Sequence, residues 1–307
     1  MRVSEHREPA TMSEPLSFGD FVERQKTGSY GRAEGARYAY AADLAMLRSF
    51  QRLRPVELAA ATVVRMNKEL LRGTLLGQTV KVTEKQFPSL YKLVERCART
   101  LQVPVPQVYV ANNPVMNAYT FGTEDDSFIV LHSALVDSFS EHELLFVIGH
   151  ETGHIQNKHV VYNTALLLLQ RMAEAFVGPL VLPAVVALNA WYRRAEITCD
   201  RAGLLCSQDL DAASRSFIKL AVGSKRLSDE VDMKEFLAQH DEAQGSVGRY
   251  MEAFQSHPYL PKRIKALQAF AESELYRQAI GQAGGISIEA VDEKTSAIIS
   301  MDGKEAT

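Results

Sequence analysis

Residues 140–159 read SEHELLFVIGHETGHIQNKH, and this stretch decides how the rest of the chain is interpreted. Ser140 and Glu143 have the S-x-x-E spacing of a helix capping box, and apolar residues follow at once. Further along, His150, Glu151 and His154 form the pattern H-E-x-x-H. Because residues four apart lie one turn from each other on the same helix face, the two imidazoles are predicted to point the same way.

This pattern is typical of a metal site. Two imidazoles one turn apart can share one Zn²⁺, and the glutamate between them falls beside the open position of the metal. Chance alone also produces H-E-x-x-H on ordinary surface helices. Here the apolar run Phe146–Gly149 directly precedes the motif, and polar imidazoles next to such a run cost free energy unless they gain partners. The sequence therefore predicts one Zn²⁺ per chain, with His150 and His154 as ligands and Glu151 as the base.

The third ligand has to come from elsewhere in the chain. His159 lies about 140° round the helix from His154, so it is expected to pack or to support the site from outside. Glu174 follows the motif at a spacing known from zinc peptidases, but it has no acidic partner one turn later. Glu196 has Asp200 four residues on, and such a carboxylate can orient a ligand imidazole through its second N–H. Glu196 is the expected ligand and Asp200 its companion; in the alternative, both carboxylates pair with neighbouring arginines on a solvated helix.

Composition limits the class of protein. The chain has 307 residues, of which 46% are hydrophobic, and a formal net charge of −3. A globular protein with a real core is expected, and nucleic-acid binding is not. The three cysteines, Cys97, Cys199 and Cys206, supply no disulfide framework and are expected to be buried in a reducing compartment. Since the N-terminus lacks the apolar stretch of a signal peptide, cytoplasmic residence is the default.

The predicted layout has three parts. Residues 1–40 form a polar N-terminal arm, residues 41–280 form the domain that carries the metal site, and residues 281–307 form a mobile C-terminal tail. The domain is predicted to be α+β and mostly helical, with a small antiparallel sheet beside the H-E-x-x-H helix. Strands are expected at residues 77–83, and then in a meander at residues 107–111, 117–122 and 127–131.

Residues 165–192 are the most apolar part of the chain. A spanning helix needs about 20 apolar residues, and Gly178, Pro179 and Pro183 would interrupt one here. The segment is interpreted as a buried or groove-lining helical hairpin. The alternative is peripheral contact with a membrane, as an interfacial element.

Several separated motifs together resemble one family. After H-E-T-G-H, residues 196–203 read EITCDRAG, residues 117–122 read NAYTFG, and residues 256–258 read SHP with Arg263 shortly after. This set, in this order, resembles the zinc metalloendopeptidases that include the HtpX heat-shock protease and the CAAX prenyl proteases. The matching pieces extend from about Leu76 to Leu267, which is most of the predicted folded part.

The resemblance implies a gluzincin fold with His150, His154 and Glu196 as ligands and Glu151 as base. It also implies that His257 lies over the metal, where it stabilises the oxyanion or caps the zinc. Substrate would bind as an added β-strand, along Asn117, Ala118, Tyr119, Thr120 and Phe121. Gly153 is expected to let that strand or its substrate approach the helix closely.

The function expected from these observations is that of a zinc-dependent endopeptidase acting on extended or unfolded polypeptide segments. The alternative is a regulated or inactive peptide-binding module whose zinc is capped by His257. Polypeptide is the expected partner, and the sequence sets no oligomeric state.

Overall fold

The computed structural model describes residues 37–52, 73, 77–123, 126–172, 178–242 and 259–299. Most of these residues are helical. The helices are α1 (Ala41–Arg52), α2 (Pro88–Leu101), α3 (Ser133–Ser138), α4 (Glu141–Gln156), α5 (Val160–Met172), α6 (Gly178–Ser207), α7 (Leu210–Val222), α8 (Lys225–Ser228), α9 (Met233–Glu242), α10 (Leu260–Ala271), α11 (Glu274–Ala279) and α12 (Ile288–Ile299). The strands are β1 (Thr79–Lys81), β2 (Gln107–Ala111), β3 (Ala118–Gly122) and β4 (Ser127–His132).

The four strands form one mixed sheet in the order β1-β2-β4-β3. β4 pairs parallel with β2 and antiparallel with β3, while β1 pairs antiparallel with β2. The mostly helical α+β fold is confirmed, but the prediction of an antiparallel sheet built from a meander is wrong. β4 contains the continuous apolar run Phe128–Leu131, which is buried on both faces, so it takes an inner position between β2 and β3.

Helix α4 begins as the sequence predicts. The Ser140 hydroxyl accepts a hydrogen bond from the Glu143 main chain at 3.4 Å, and the Glu143 carboxylate accepts one from the Ser140 main chain at 2.6 Å. This capping box is confirmed. The rest of the helix is buried almost throughout, which places its two histidines inside the protein and not on its surface.

Glycines bring α4 and α6 into close contact. A Cβ added at Gly153 would lie 2.8 Å from the Ala202 Cβ, and one at Gly149 would lie 2.7 Å from the Cys206 Cβ. From the other side, a Cβ at Gly203 would lie 2.6 Å from the Phe146 carbonyl oxygen. Gly153 therefore makes room for α6, and the prediction that it makes room for a strand is wrong.

Both ends of the described chain pack against the domain. Tyr38 and Tyr40, at the end of the predicted arm, are buried, and the Tyr40 main chain donates to the Thr198 hydroxyl at 3.1 Å. α12 lies within the predicted mobile tail, yet it packs against α10 and buries Val291 completely. The turn before it needs glycine, because Gly285 has φ +125° and a Cβ there would lie 2.5 Å from a main-chain nitrogen. Residues 281–307 are the predicted mobile tail, but the turn at Gly285 returns the chain to the domain.

Helices α5 and α6 pack against each other, as the predicted hairpin requires. α1 joins them in a cluster that contains Leu47, Tyr162, Leu166 and Trp191. Among the described residues, no helix combines the length and apolar character needed to cross a membrane. The sequence also predicts helices at residues 56–72 and 248–254, and both ranges lie outside the described residues.

Candidate active site

The structure brings three predicted ligands together. His150 Nε2 is 3.7 Å from a Glu196 carboxylate oxygen, and His154 Nε2 is 3.3 Å from the other oxygen. The ligand atoms of the three residues all lie within 4.8 Å of one another, and all three side chains are buried. Two turns of α4 supply the imidazoles, and α6 crosses close enough to supply the carboxylate.

The chemistry of these donors fits a divalent cation. Asp200 Oδ1 lies 3.0 Å from His150 Nδ1, so the other ring nitrogen, Nε2, is the one directed at Glu196. Three carboxylates, those of Glu151, Glu196 and Asp200, are buried here with one guanidinium, that of Arg263, so the group has an excess of negative charge. Two imidazole nitrogens and a carboxylate oxygen suit Zn²⁺, and also iron or cobalt.

Arg263 joins two of these carboxylates. Its Nη1 is 2.8 Å from Glu196 Oε2, while Nε and Nη2 donate to the two oxygens of Asp200 at 2.8 and 2.6 Å. Burial opposes its charge, but Asp200 and Glu196 outweigh burial and raise the pKa of Arg263 above its ordinary value. A planar fork of this kind fixes both carboxylates at once. The sequence singled out Arg263 only as part of a family motif, without a role.

The two histidines have different electrostatic surroundings. Burial lowers the pKa of His150, but Glu196 and Asp200 outweigh burial and raise it to about 10, which shows how strongly this position favours positive charge. Burial lowers the pKa of His154, and the neighbouring His150 lowers it further despite Glu196. A neutral His154 is the form that can bind a metal.

Glu151 lies beside the ligands and has a partner that the sequence did not predict. The Thr120 hydroxyl is 2.6 Å from Glu151 Oε2, to which it donates, and 3.2 Å from the Glu151 main-chain oxygen. Thr120 was predicted to contact substrate, but the residue is 2% exposed and its hydroxyl faces the Glu151 carboxylate. Its contact could not be foreseen, since it depends on how β3 packs against α4.

The other residues predicted to bind substrate are distributed along β3. Tyr119 is 38% exposed, whereas Phe121 is buried in a cluster with Phe128. The Asn117 carbonyl accepts a hydrogen bond from the His132 main chain at 3.0 Å, and the Ala118 side chain is partly buried. Only part of the predicted stretch therefore presents its side chains outward.

A small cavity of about 80 Å³ lies between two predicted metal ligands, His150 and Glu196, and the start of β3. Glu151 and Ala118 contribute to its wall, which combines apolar side chains with polar and charged ones. Its full lining is Asn117, Ala118, Leu135, Phe146, Val147, His150, Glu151, Glu196, Phe217, Leu220 and Arg263.

His257, the predicted oxyanion donor or zinc cap, and Glu174, the rejected ligand candidate, lie outside the described residues.

Two other residues near the site were missed or only partly recognised. Tyr192 stacks its ring on that of His154, with centroids 5.6 Å apart and planes 6° apart, and Asp43 of α1 reaches the neighbourhood through His159. An acidic residue among the apolar positions of α1 was the only sequence signal for Asp43.

Comparison with known proteins identifies the family. Residues 84–271 match Peptidase family M48. The chain is 31% identical over 239 residues to the plastoglobule-localized metallopeptidase 48, chloroplastic, of Arabidopsis thaliana, a match that covers 74% of this chain and 70% of that relative. No solved structure matches the chain at a significant level.

Bacterial relatives match over a shorter segment. A protease HtpX homolog of Streptococcus thermophilus is 31% identical over 113 residues, which is 36% of each chain. A second, from Streptococcus pyogenes, is 32% identical over 90 residues, or 29% of this chain and 30% of the relative. The family match spans both α4 and α6, and with them all three predicted ligands. The chain therefore belongs to peptidase family M48 and is a metal-dependent peptidase.

Proposed function

We propose that this protein is a zinc-dependent endopeptidase that cleaves extended or unfolded polypeptide segments. The observation that carries the proposal is the convergence of His150, His154 and Glu196 within 4.8 Å, with Glu151 on the same helix. Zinc is proposed over iron or cobalt because the reaction needs a Lewis acid and no redox change.

Each residue has a proposed role in hydrolysis. When bound, a divalent cation at these ligands supplies Lewis acidity, which lowers the pKa of water and polarises the scissile carbonyl. Glu151 takes a proton from the attacking water and passes it to the leaving amine. Thr120 donates to one oxygen of the Glu151 carboxylate, which leaves the other oxygen for that proton. Asp200 and Arg263 hold the His150 and Glu196 side chains in place.

The register of β3 suggests where a substrate strand would pair. β3 is an edge strand within the described sheet, and the alternation of antiparallel pairing turns the main-chain groups of Ala118, Thr120 and Gly122 outward. α5 already contacts two of these positions: Asn163 donates to the Thr120 carbonyl at 3.4 Å, and the Thr164 hydroxyl accepts from the Gly122 main chain at 3.1 Å. The Ala118 N–H donates to the Asn117 side-chain oxygen at 2.9 Å. Substrate is therefore proposed to pair with the Ala118 carbonyl, at the end of β3 that also lines the cavity.

The cavity supports a preference for an apolar substrate side chain. Leu135, Val147 and Leu220 contribute apolar surface to its wall next to Glu151. Burying an apolar side chain against these residues is favourable, whereas a charged one would compete with the ion pair that Arg263 and Glu196 already form in the same wall. Main-chain pairing reads any extended peptide, so this cavity would supply the sequence preference.

His257 is retained as the proposed oxyanion donor, and the zinc-capped, regulated or inactive module is the alternative. That alternative would predict a protein that binds peptide and zinc without cleaving. Cytoplasmic residence is part of the proposal, with peripheral membrane contact through residues 165–192 as its alternative. Cell fractionation of the tagged full chain distinguishes the two locations.

Metal analysis combined with a cleavage assay tests the proposed function. Purified protein is expected to contain one zinc per chain and to cleave an unfolded casein-type substrate, with activity lost on chelation and restored by Zn²⁺. Glu151→Gln removes the base and leaves the ligands, so we expect zinc to stay bound while activity falls by about 10²–10⁴-fold. Glu141→Gln, an exposed position at the start of the same helix, is the matched control and should behave as the wild type. Wild-type cleavage by Glu151→Gln would contradict the proposed mechanism.

A further inference from the structure

A second group of buried polar side chains lies on the side of His154 that faces away from Glu196. His159 Nδ1 is 3.3 Å from His154 Nδ1, and His159 Nε2 is 3.1 Å from Asp43 Oδ2. The Asp43 and His159 side chains are fully buried, and His154 is 1% exposed. We refer to Asp43, His159 and His154 as the relay. It connects α1, the start of α5 and a metal ligand on α4.

The surroundings of Asp43 determine what it can do in the relay. Trp191 Nε1 donates to Asp43 Oδ1 at 2.9 Å, and the Thr198 hydroxyl donates to Oδ2 at 2.6 Å. Three donors therefore converge on this carboxylate once His159 is included. A carboxylate has only acceptors to offer, so the ring nitrogen of His159 that faces it carries the hydrogen. The 3.1 Å contact does not meet the angular criterion of a hydrogen bond, so Asp43 favours a hydrogen on the facing nitrogen through its negative charge at short range.

The position of the hydrogen on His159 determines which ring nitrogen of His154 carries a hydrogen. With its hydrogen on Nε2, a neutral His159 has only a lone pair on Nδ1. The facing Nδ1 of His154 must then donate across the 3.3 Å contact, which leaves His154 with a lone pair on Nε2. Nε2 is the atom that lies 3.3 Å from Glu196, at the proposed metal position. The relay thus selects the tautomer of His154 that can bind a metal.

We propose that Asp43 and His159 are positioning residues that fix the tautomer and ring orientation of His154 as a metal ligand. The inference rests on the proposed function, because it takes His154 to be a ligand. It adds a role for α1, a helix that precedes the residues matched by the family.

The same side chains could in principle hold a second metal ion. Cys199 Sγ is 3.6 Å from His159 Nδ1, and the ligand atoms of His154, His159 and Cys199 lie within 4.8 Å of one another. A cation there would require His154 to lose both ring hydrogens, since its Nε2 already faces the first site. In the relay, the Cys199 thiol and the His154 N–H both donate to one lone pair, and every hydrogen stays in place. Binding of a second metal ion at these residues is therefore one of the outcomes that the test distinguishes.

Asp43→Asn is the first test variant, because it changes one acceptor into a donor at similar size. The amide oxygen is needed opposite Trp191, so the NH₂ group is expected to face His159 and to reverse its tautomer. Asp292→Asn is the matched control. Asp292 Oδ2 accepts from the main chain of Ala41, the first residue of α1, and Asp292 Oδ1 lies 2.8 Å from the buried Arg201 of α6. This variant therefore weakens the attachment of both helices without touching His159.

His159→Leu and His159→Asn form a second matched pair. The two side chains are similar in size, but only asparagine offers an acceptor to the His154 N–H. His142→Asn, at a half-exposed histidine on α4, controls for loss of an imidazole. Rescue by asparagine would assign the effect to hydrogen bonding and not to packing.

The measurement is the dissociation constant for Zn²⁺, by competition with a chromophoric chelator, together with the number of zinc ions per chain. We expect Asp43→Asn and His159→Leu to bind zinc about 10–100-fold more weakly, and His159→Asn to recover most of the affinity. Asp292→Asn and His142→Asn should match the wild type. In ¹⁵N-histidine spectra of zinc-loaded wild type, His154 should carry its hydrogen on Nδ1 and His159 on Nε2.

Several outcomes would overturn the inference. Wild-type affinity in both Asp43→Asn and His159→Leu would remove the relay, as would the opposite tautomers in the spectra. Equal losses in Asp292→Asn, or in His159→Asn and His159→Leu, would assign the effect to packing. Two zinc ions per chain, falling to one in His159→Leu, would establish the second metal site instead. If His154→Ala keeps wild-type zinc affinity, the proposed function itself fails, which separates the two failures.

Discussion

The two imidazoles of α4 are supported in different ways. His150 contacts a carboxylate directly, at 3.0 Å from Asp200, and Arg263 in turn holds that carboxylate with two hydrogen bonds. On the side away from Glu196, His154 Nδ1 contacts a second imidazole, that of His159, and the next carboxylate on that side, Asp43, lies beyond His159. His150 is therefore supported by an ionic network that also includes Glu196. His154 is supported by a series of contacts that ends at Asp43 on α1.

The difference shows that two predicted ligands in one short motif need not share an environment. The support of His150 depends on charge, because two carboxylates and a guanidinium are buried together. The support of His154 depends on which ring nitrogen carries a hydrogen. Loss of charge balance on the first side should therefore affect stability most, whereas a change on the second side should affect metal affinity with less effect on folding.

The largest effect on stability is expected from breaking the ionic network that supports His150. Arg263→Met leaves the Asp200 and Glu196 carboxylates buried without their cation, so the free energy of unfolding of metal-free protein should fall by about 3–5 kcal/mol. Urea denaturation with and without chelator measures this change. Arg226→Met is the control, since Arg226 is 83% exposed in a weak ion pair and its loss should cost under about 0.5 kcal/mol. Similar values for the two variants would show that the network does not hold the site together.

A smaller loss of stability is expected from disturbing the contact between α4 and α6 at Gly153. Gly153→Ala places a Cβ 2.8 Å from the Ala202 Cβ and 3.3 Å from the Cys199 Cα, so α4 and α6 must move apart. Overpacking of this kind costs about 1–3 kcal/mol, and because α6 carries Asp200 and Glu196, zinc affinity should fall as well. Thermal unfolding and zinc titration measure the two effects. Gly77→Ala, where no atom lies within 4 Å of the added Cβ, is the control. Unchanged zinc affinity in a destabilised Gly153→Ala would separate helix packing from ligand support.

The smallest effect is expected at the far end of α4, remote from both supports. Ser140→Ala removes the hydroxyl that accepts from the Glu143 main chain, and loss of such a cap costs about 1 kcal/mol. Zinc affinity should not change, because the ligands lie at the other end of the helix. Chemical denaturation and zinc titration check both parts, with the exposed Ser49→Ala as control. A loss of zinc binding in Ser140→Ala would mean that the ligands depend on the whole helix and not on their local supports.

The sequence predicted the parts of the site that depend on local geometry. Spacing within one helix predicts the cap of α4 and the shared face of His150 and His154. The same reasoning places Glu196 and Asp200 on one face of their helix. Asp200 was expected near a ligand imidazole, and it contacts His150. These features could be derived because a helix fixes the relative positions of residues three or four apart.

The parts that were missed depend on tertiary packing. β4 takes an inner position because its apolar run must be buried on both faces, which the order of strands in the sequence does not reveal. The family resemblance assigns the whole stretch around Thr120 to substrate, whereas the contact of Thr120 with Glu151 depends on the fit of β3 against α4. Asp43 and Arg263 come from opposite ends of the folded chain, where no spacing rule connects them to the motif.

The most direct test of the central claim is a crystal structure of the zinc-loaded protein with anomalous diffraction recorded on both sides of the zinc absorption edge. The account predicts one anomalous peak per chain, at about 2.0–2.2 Å from His150 Nε2, His154 Nε2 and a Glu196 oxygen. A single peak between His159 and Cys199, or a peak that Glu196 does not reach, would contradict it.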